Sequence, residues 1–278
     1  MLKQRVVTGL LMAGLFLAGV NFLPLPVLAA AFAVVVALGA WEWAPLAGIG
    51  SFVLRALYCL LVLALAAVLY VYGGFSGPIR REQIQPLLGF AGLWWCFALL
   101  WVRSFPASAV FWRHPVLRSL MGLLILLPAW FAAVYLLHLE QRGAAVVVLV
   151  LLVAAADIGA YFTGRAFGRH ALSPSVSPSK TWEGFWGGVF CAGLLAAGLW
   201  ALLPGRFDHL SLAAALCVAL ATAFASVLGD LTVSMVKRVS GVKDSGSLLP
   251  GHGGLLDRLD SLCAAAPTFA LGLLLVGV

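Results

Sequence analysis

An all-α polytopic membrane protein, with about nine transmembrane helices joined by short loops, is the fold class this sequence predicts. Three observations carry that reading. Of 278 residues, 63% are hydrophobic and 10% charged, whereas a soluble domain runs nearer ~45–50% and ~25%. At ~20 residues per crossing, the apolar runs use up almost the whole length and leave no room for a large extramembrane domain. Gly- and Pro-rich breaks at 73–78, 173–178 and 204–205 separate the runs, as turn chemistry requires.

The first run, Val6–Leu23, follows Lys3 and Arg5. A cleaved signal with its site near Ala29 would begin the same way, but the run is long enough to span and more spans follow it. Val27–Leu46, Phe52–Tyr72, Leu87–Val102 and Val116–Leu137 complete a first region, 1–143, which reads as a transmembrane scaffold of about five helices. Ala144–Phe162, Phe185–Leu203, Leu210–Val236 and Leu262–Val278 make the second, 144–278, a catalytic region of about four. With the N-terminus inside, thirteen of seventeen Lys/Arg collect on one side, the asymmetry of the positive-inside rule. Loops 163–184 and 237–261 are then expected in the cytoplasm and the C-terminus outside. Trp41, Trp43, Trp101, Trp112, Trp182 and Trp200 lie near span ends and suit an aromatic belt, while mid-span Trp94, Trp95 and Trp130 suit packing.

Several function classes are excluded early. The formal charge of +7 is not gathered into a basic run with interleaved aromatics, so no nucleic acid is expected as a partner. The five cysteines are scattered singly through apolar runs, and the five histidines show no HxxH or HExxH spacing, which argues against disulfides and zinc hydrolysis.

Polarity is unevenly spread. No Asp occurs before Asp157, and all six follow from there with three of the four lysines, so chemistry is expected in the second region. Asp157 lies in an apolar helix, where an ionisable group is costly and marks either a functional site or a pair with Arg165 or Arg169. The following Gly-, Ser- and Pro-rich loop, with Arg165, Arg169 and Lys180, suits phosphate, though a plain solvated loop would look similar.

The segment Gly229–Ser261 is the most informative. On a helix, Asp230, Ser234 and Lys237 share one face, and Asp257, Asp260 and Ser261 share another. Gly251, Gly253 and Gly254 give a backbone free to approach a ligand, beside a loop carrying Lys243, Asp244 and His252. Carboxylates facing bases and glycines suit Mg²⁺, which takes one or two carboxylates and completes its shell with phosphate and water. The alternative is a set of internal ion pairs, Asp230 with Lys237 or Arg238 and Asp257 with Arg258. That alternative explains poorly why so many polar groups crowd one segment.

Ser234, Lys237-Arg238, Lys243-Asp244, Gly246, Pro250-Gly251-His252-Gly253-Gly254, Asp257-Arg258 and Asp260-Ser261 form an ordered pattern. It resembles that of the phosphatidate cytidylyltransferases, the CDP-diacylglycerol synthases. Asp157, Ala160, Tyr161, Gly164 and Arg165, and the stretch Ser177-Pro178, Lys180-Thr181, Glu183-Gly184, are also similar to that family. The specific motifs cover 157–261, whereas the first 150 residues match only in being apolar spans.

The resemblance implies a membrane enzyme, in a bacterial cytoplasmic (inner) membrane, that makes CDP-diacylglycerol and pyrophosphate from CTP and phosphatidate. It implies a homodimer embedded in membrane lipids, with its active site facing the cytoplasm. Asp230 and Asp257 resemble the family's metal-binding carboxylates, and Lys237, Lys243 and Asp260 join them as the catalytic group. Lys180, Ser234, Arg238, Asp244, His252, Arg258 and Asp157 are expected to bind substrate. Mg²⁺ is the expected cofactor, with room for a second cation such as K⁺. A CTP-dependent lipid kinase would use similar groups but release CDP. A secondary transporter with Asp157 and Asp230 as coupling groups would show similar polar breaks in both halves, which the lopsided acids do not.

Overall fold

The computed structural model describes residues 2–139, 143–202, 210–248 and 253–277, and for residues 2–8 and 10 it describes the backbone alone. Nine long helices stand among them: α1 (Leu2–Phe22), α2 (Leu25–Leu46), α3 (Phe52–Tyr72), α4 (Arg81–Arg103), α6 (Pro115–His138), α7 (Ala144–Phe167), α8 (Trp182–Leu202), α9 (Leu212–Val239) and α10 (Leu256–Val276). They correspond one for one to the nine expected spans. Eight of them, α2 onward, are long and apolar enough by composition to cross a membrane, and the protein is an integral membrane protein. Helices are forced here because, without water, each backbone amide and carbonyl must find its partner within its own segment.

Three local features were not anticipated. A one-turn helix, α5 (Ala109–Trp112), precedes α6. The loop after α7 folds into an antiparallel hairpin, β1 (Ala171–Ser173) with β2 (Ser177–Thr181), pairing Ala171 with Thr181 and Ser173 with Ser177. Both α4 and α10 start six residues ahead of their apolar runs, at Arg81 and Leu256, because a helix continues past the hydrocarbon boundary wherever its amides still find acceptors.

Among the eight helices from α2 onward, α6 and α10 are the most enclosed and α3 the least, with only Tyr58, Val62 and Ala66 buried. α10 packs on α9, α6, α4, α7 and α2, so the boundary expected near 143 runs through one packed bundle. Trp43 and Trp112 are fully buried, and the Trp43 indole donates to the Arg118 carbonyl at 2.8 Å. Core packing, not an interfacial belt, accounts for these two.

One end of the bundle is tied together by polar groups. Arg118, at the start of α6, donates to the Leu46 carbonyl closing α2 (2.7 Å) and to the Ser240 hydroxyl after α9 (3.3 Å). The hairpin docks at the same end, where the Arg238 Nε donates to the Val176 carbonyl at 3.0 Å. The described parts of loops 163–184 and 237–261 therefore share one end, as expected.

Candidate functional site

α9 delivers Asp230, Ser234 and Lys237 along one face, and the Ser234 hydroxyl donates to Asp230 Oδ1 at 3.0 Å. Lys237 sits seven residues on, a rise of ~10 Å, and reaches across to α10 instead of back to Asp230. Its Nζ meets Asp257 Oδ1 at 2.8 Å. The second ammonium comes from the hairpin, where Lys180 Nζ lies 2.5 Å from Asp230 Oδ2. Ion pairs do form, but between elements, and not as the local pairs Asp230–Lys237 and Asp257–Arg258.

Asp257 stands in the first turn of α10 and gathers the loop before it. The Ser245 amide donates to both its oxygens (3.2 and 3.0 Å) and the Gly254 amide to Oδ2 (3.1 Å). Asp260, one turn later, is buried and accepts from the Ser261 amide at 2.8 Å. The two helices touch here: a Cβ on Gly229 would collide with the Asp260 carbonyl. That close approach places Asp230, the next residue, within electrostatic reach of Asp260.

Asp157 joins from α7, feeling the charges of Lys180, Asp230 and Arg258. It is exposed beside exposed Ile158 and Tyr161. The Arg165 guanidinium donates instead to the Tyr161 hydroxyl (3.1 Å), while Arg169 meets Glu183 through its backbone. Lys243 and Asp244 are exposed on the loop, with no hydrogen bond or ion pair to another described residue, and Arg258 is exposed on α10. His252, with Pro250 and Gly251, lies outside the described residues. The structure thus brings Asp157, Lys180, Asp230, Lys237, Asp257, Asp260 and Arg258 together from three helices and a hairpin.

Two acids to which the sequence assigns no site role support this cluster. Glu183 holds the root of the hairpin, accepting from the Arg169 and His170 amides (3.1 and 3.3 Å) and lying 2.6 Å from His170 Nδ1. Glu42 of α2 is buried against Ser245 and the first residue of α10, Leu256. The signal that could have found it was present, since it is an acid within an apolar span.

Among the described residues no three His, Cys, Asp or Glu side chains form a cage for a metal ion. The donor set nevertheless fits an ion of the Mg²⁺ type, which takes one or two carboxylates and leaves the remaining positions to phosphate and water. Of the roughly four lone-pair positions on a carboxylate, Asp230 uses two, on Ser234 and Lys180. Asp257 uses all of its own, so an ion there would take the place of Lys237.

Known proteins resemble this chain over nearly its whole length. The model of the cytidylyltransferase family matches residues 3–276. A phosphatidate cytidylyltransferase of Pseudomonas aeruginosa is 44% identical over 270 residues, covering 97% of this chain and 96% of that protein. One from Haemophilus influenzae is 40% identical over 291 residues, covering 97% and 98%. One from Brucella suis biovar 1 is 50% identical over a shorter stretch of 124 residues, 44% of this chain and 43% of that protein.

Proposed function

The chain belongs to the cytidylyltransferase family, and from that premise we propose that it joins CTP to phosphatidate, giving CDP-diacylglycerol and pyrophosphate, at the polar end of α7, α9 and α10. The observation that carries this reading is the pair of crossed contacts, Lys180 with Asp230 and Lys237 with Asp257, in so apolar a chain. Each contact joins a cation suited to phosphate with a carboxylate suited to a metal ion.

An anionic phosphatidate oxygen forms a bond to the α-phosphorus of CTP, the bond to the bridging oxygen breaks, and pyrophosphate leaves. The nucleophile needs no general base, so the protein supplies position and charge. Lys180 and Lys237 turn from their aspartates to the phosphates. Lys243, Arg238 and Arg258 add positive charge at the mouth, with Arg238 keeping its Nε on the hairpin. Asp157, Ser234, Asp244 and His252 complete the substrate side. Mg²⁺, when bound, supplies neutralisation of the two polyanions. Asp230 and Asp257 would hold it, with Asp260 adjacent.

CTP enters from the cytoplasm, and phosphatidate enters sideways past Asp157 with its acyl chains still in the bilayer, here the bacterial inner membrane. The working unit is a homodimer, readable by native mass spectrometry. Purified protein given labelled CTP, phosphatidate and Mg²⁺ should yield a lipid-soluble cytidine product and pyrophosphate, and no product without Mg²⁺. Release of CDP with a phosphorylated lipid would replace this reading by a lipid kinase.

A further inference from the structure

Glu42 is 3% exposed in α2, the helix that the sequence assigns to scaffold. One of its oxygens, Oε2, grips both ends of the motif loop, accepting from the Ser245 hydroxyl at 3.0 Å and from the Leu256 amide at 2.8 Å. Leu256 is the first residue of α10, and Leu255 before it offers no side-chain cap. The first amides of a helix lack partners within it, so a carboxylate from another helix caps α10 and faces its positive end.

Ser245 is held twice, its amide by Asp257 of α10 and its hydroxyl by Glu42 of α2. Two glycines of the motif are explained by this carboxylate and the Ser245 hydroxyl it holds. A Cβ on Gly246 would come within 2.5 Å of Oε1, and one on Gly254 within 2.6 Å of Oε2. Oε1 itself has no hydrogen-bond partner, and no described Lys, Arg or His forms an ion pair with Glu42. The group is held by neutral donors and a helix end.

We propose that Glu42 is a positioning residue for the reaction. By fixing Ser245 and the first amide of α10, it sets the height of the first turn of that helix, and so places Asp257 and Asp260 opposite Asp230. The inference rests on the site reading above. The first region of the chain thereby contributes a working part without touching substrate.

Gln keeps the volume and one oxygen able to accept from both donors, whereas Ala keeps neither. On the full-length protein in detergent, E42A should lower kcat ~100-fold, the scale of an ångström of misplacement, and raise the half-saturating Mg²⁺ concentration ~10-fold. E42Q should return both values to within about threefold of the parent. S245A, which removes one of the two contacts, should show the same change in smaller measure, and it carries the test if E42A fails to fold. Parental kcat and Mg²⁺ demand in E42A or in S245A, or an E42Q as impaired as E42A, would overturn the inference. A parent whose rate ignores Mg²⁺ would sink the metal reading instead, and Glu42 would then be judged on kcat and on rescue by Gln.

Discussion

The Lys180–Asp230 and Lys237–Asp257 pairs have the same charges and share α9, yet they differ in depth. The side chains of the first are 28% and 27% exposed, and those of the second 8% and 9%. Lys180 arrives on a surface hairpin and its aspartate takes one further hydroxyl. Lys237 meets an aspartate that also binds two loop amides. Reactive charge and architecture are separable at the first pair and fused at the second.

The largest effect is expected from D257N. It leaves the Lys237 ammonium buried without its carboxylate, which costs ~3–5 kcal/mol when a buried pair is broken. Activity and melting temperature should fall together, with earlier proteolysis in the loop 243–256. D230N should lower turnover by ~10²–10³, the scale for removing one charge-stabilising group from a site. Its melting temperature should stay close to the parent's, because Lys180 can turn to water. A D230N variant that melts as early as D257N would erase the distinction between the pairs. So would a D257N variant that melts normally.

A smaller change is expected from K243A, since this lysine forms no hydrogen bond or ion pair with another described residue. Loss of one charge-assisted phosphate contact is worth ~1.5–3 kcal/mol, so kcat/KM should fall at least ~10-fold with unchanged thermal stability. Parental activity would return Lys243 to ordinary positive-inside charge. Topology gives an all-or-none check: in a protein freed of its native cysteines, S175C and S247C should both resist an impermeant thiol reagent added outside intact cells. Residue 247 is preferable to 246, where a side chain would run into Glu42. Labelling of one site but not the other would contradict the shared end, and labelling of both would invert the orientation.

The helices were legible because hydrocarbon imposes a length and a composition on each crossing. Their polar extensions are not marked by hydropathy: α10 begins at Leu256, ahead of the apolar run, and only the i, i+3, i+4 spacing of Asp257, Asp260 and Ser261 points to a helix there. The helical face of Asp230 and Ser234 could be read from spacing, and their hydrogen bond follows it. The partners of Lys180 and Lys237 could not, since each lies on another element and depends on how the bundle packs. The hairpin is short and rich in Ser and Pro, with none of the apolar alternation that marks a strand. Glu42 is marked in the sequence only as an acid within an apolar span, and its role is not legible there because its contacts are all long-range.

The depth of the Lys237–Asp257 pair also constrains how this lineage could drift. A substitution at Asp257 should weaken the fold along with the proposed chemistry, so such a protein should be degraded before selection could give it another use. A substitution at Asp230 should leave an inactive protein intact in its membrane, with the hairpin and the capped helix still in place. Inactive descendants kept for lipid binding or assembly should therefore have lost Asp230 while keeping Lys237 and Asp257. A branch showing the reverse would mean that the buried pair can be replaced without loss of the fold.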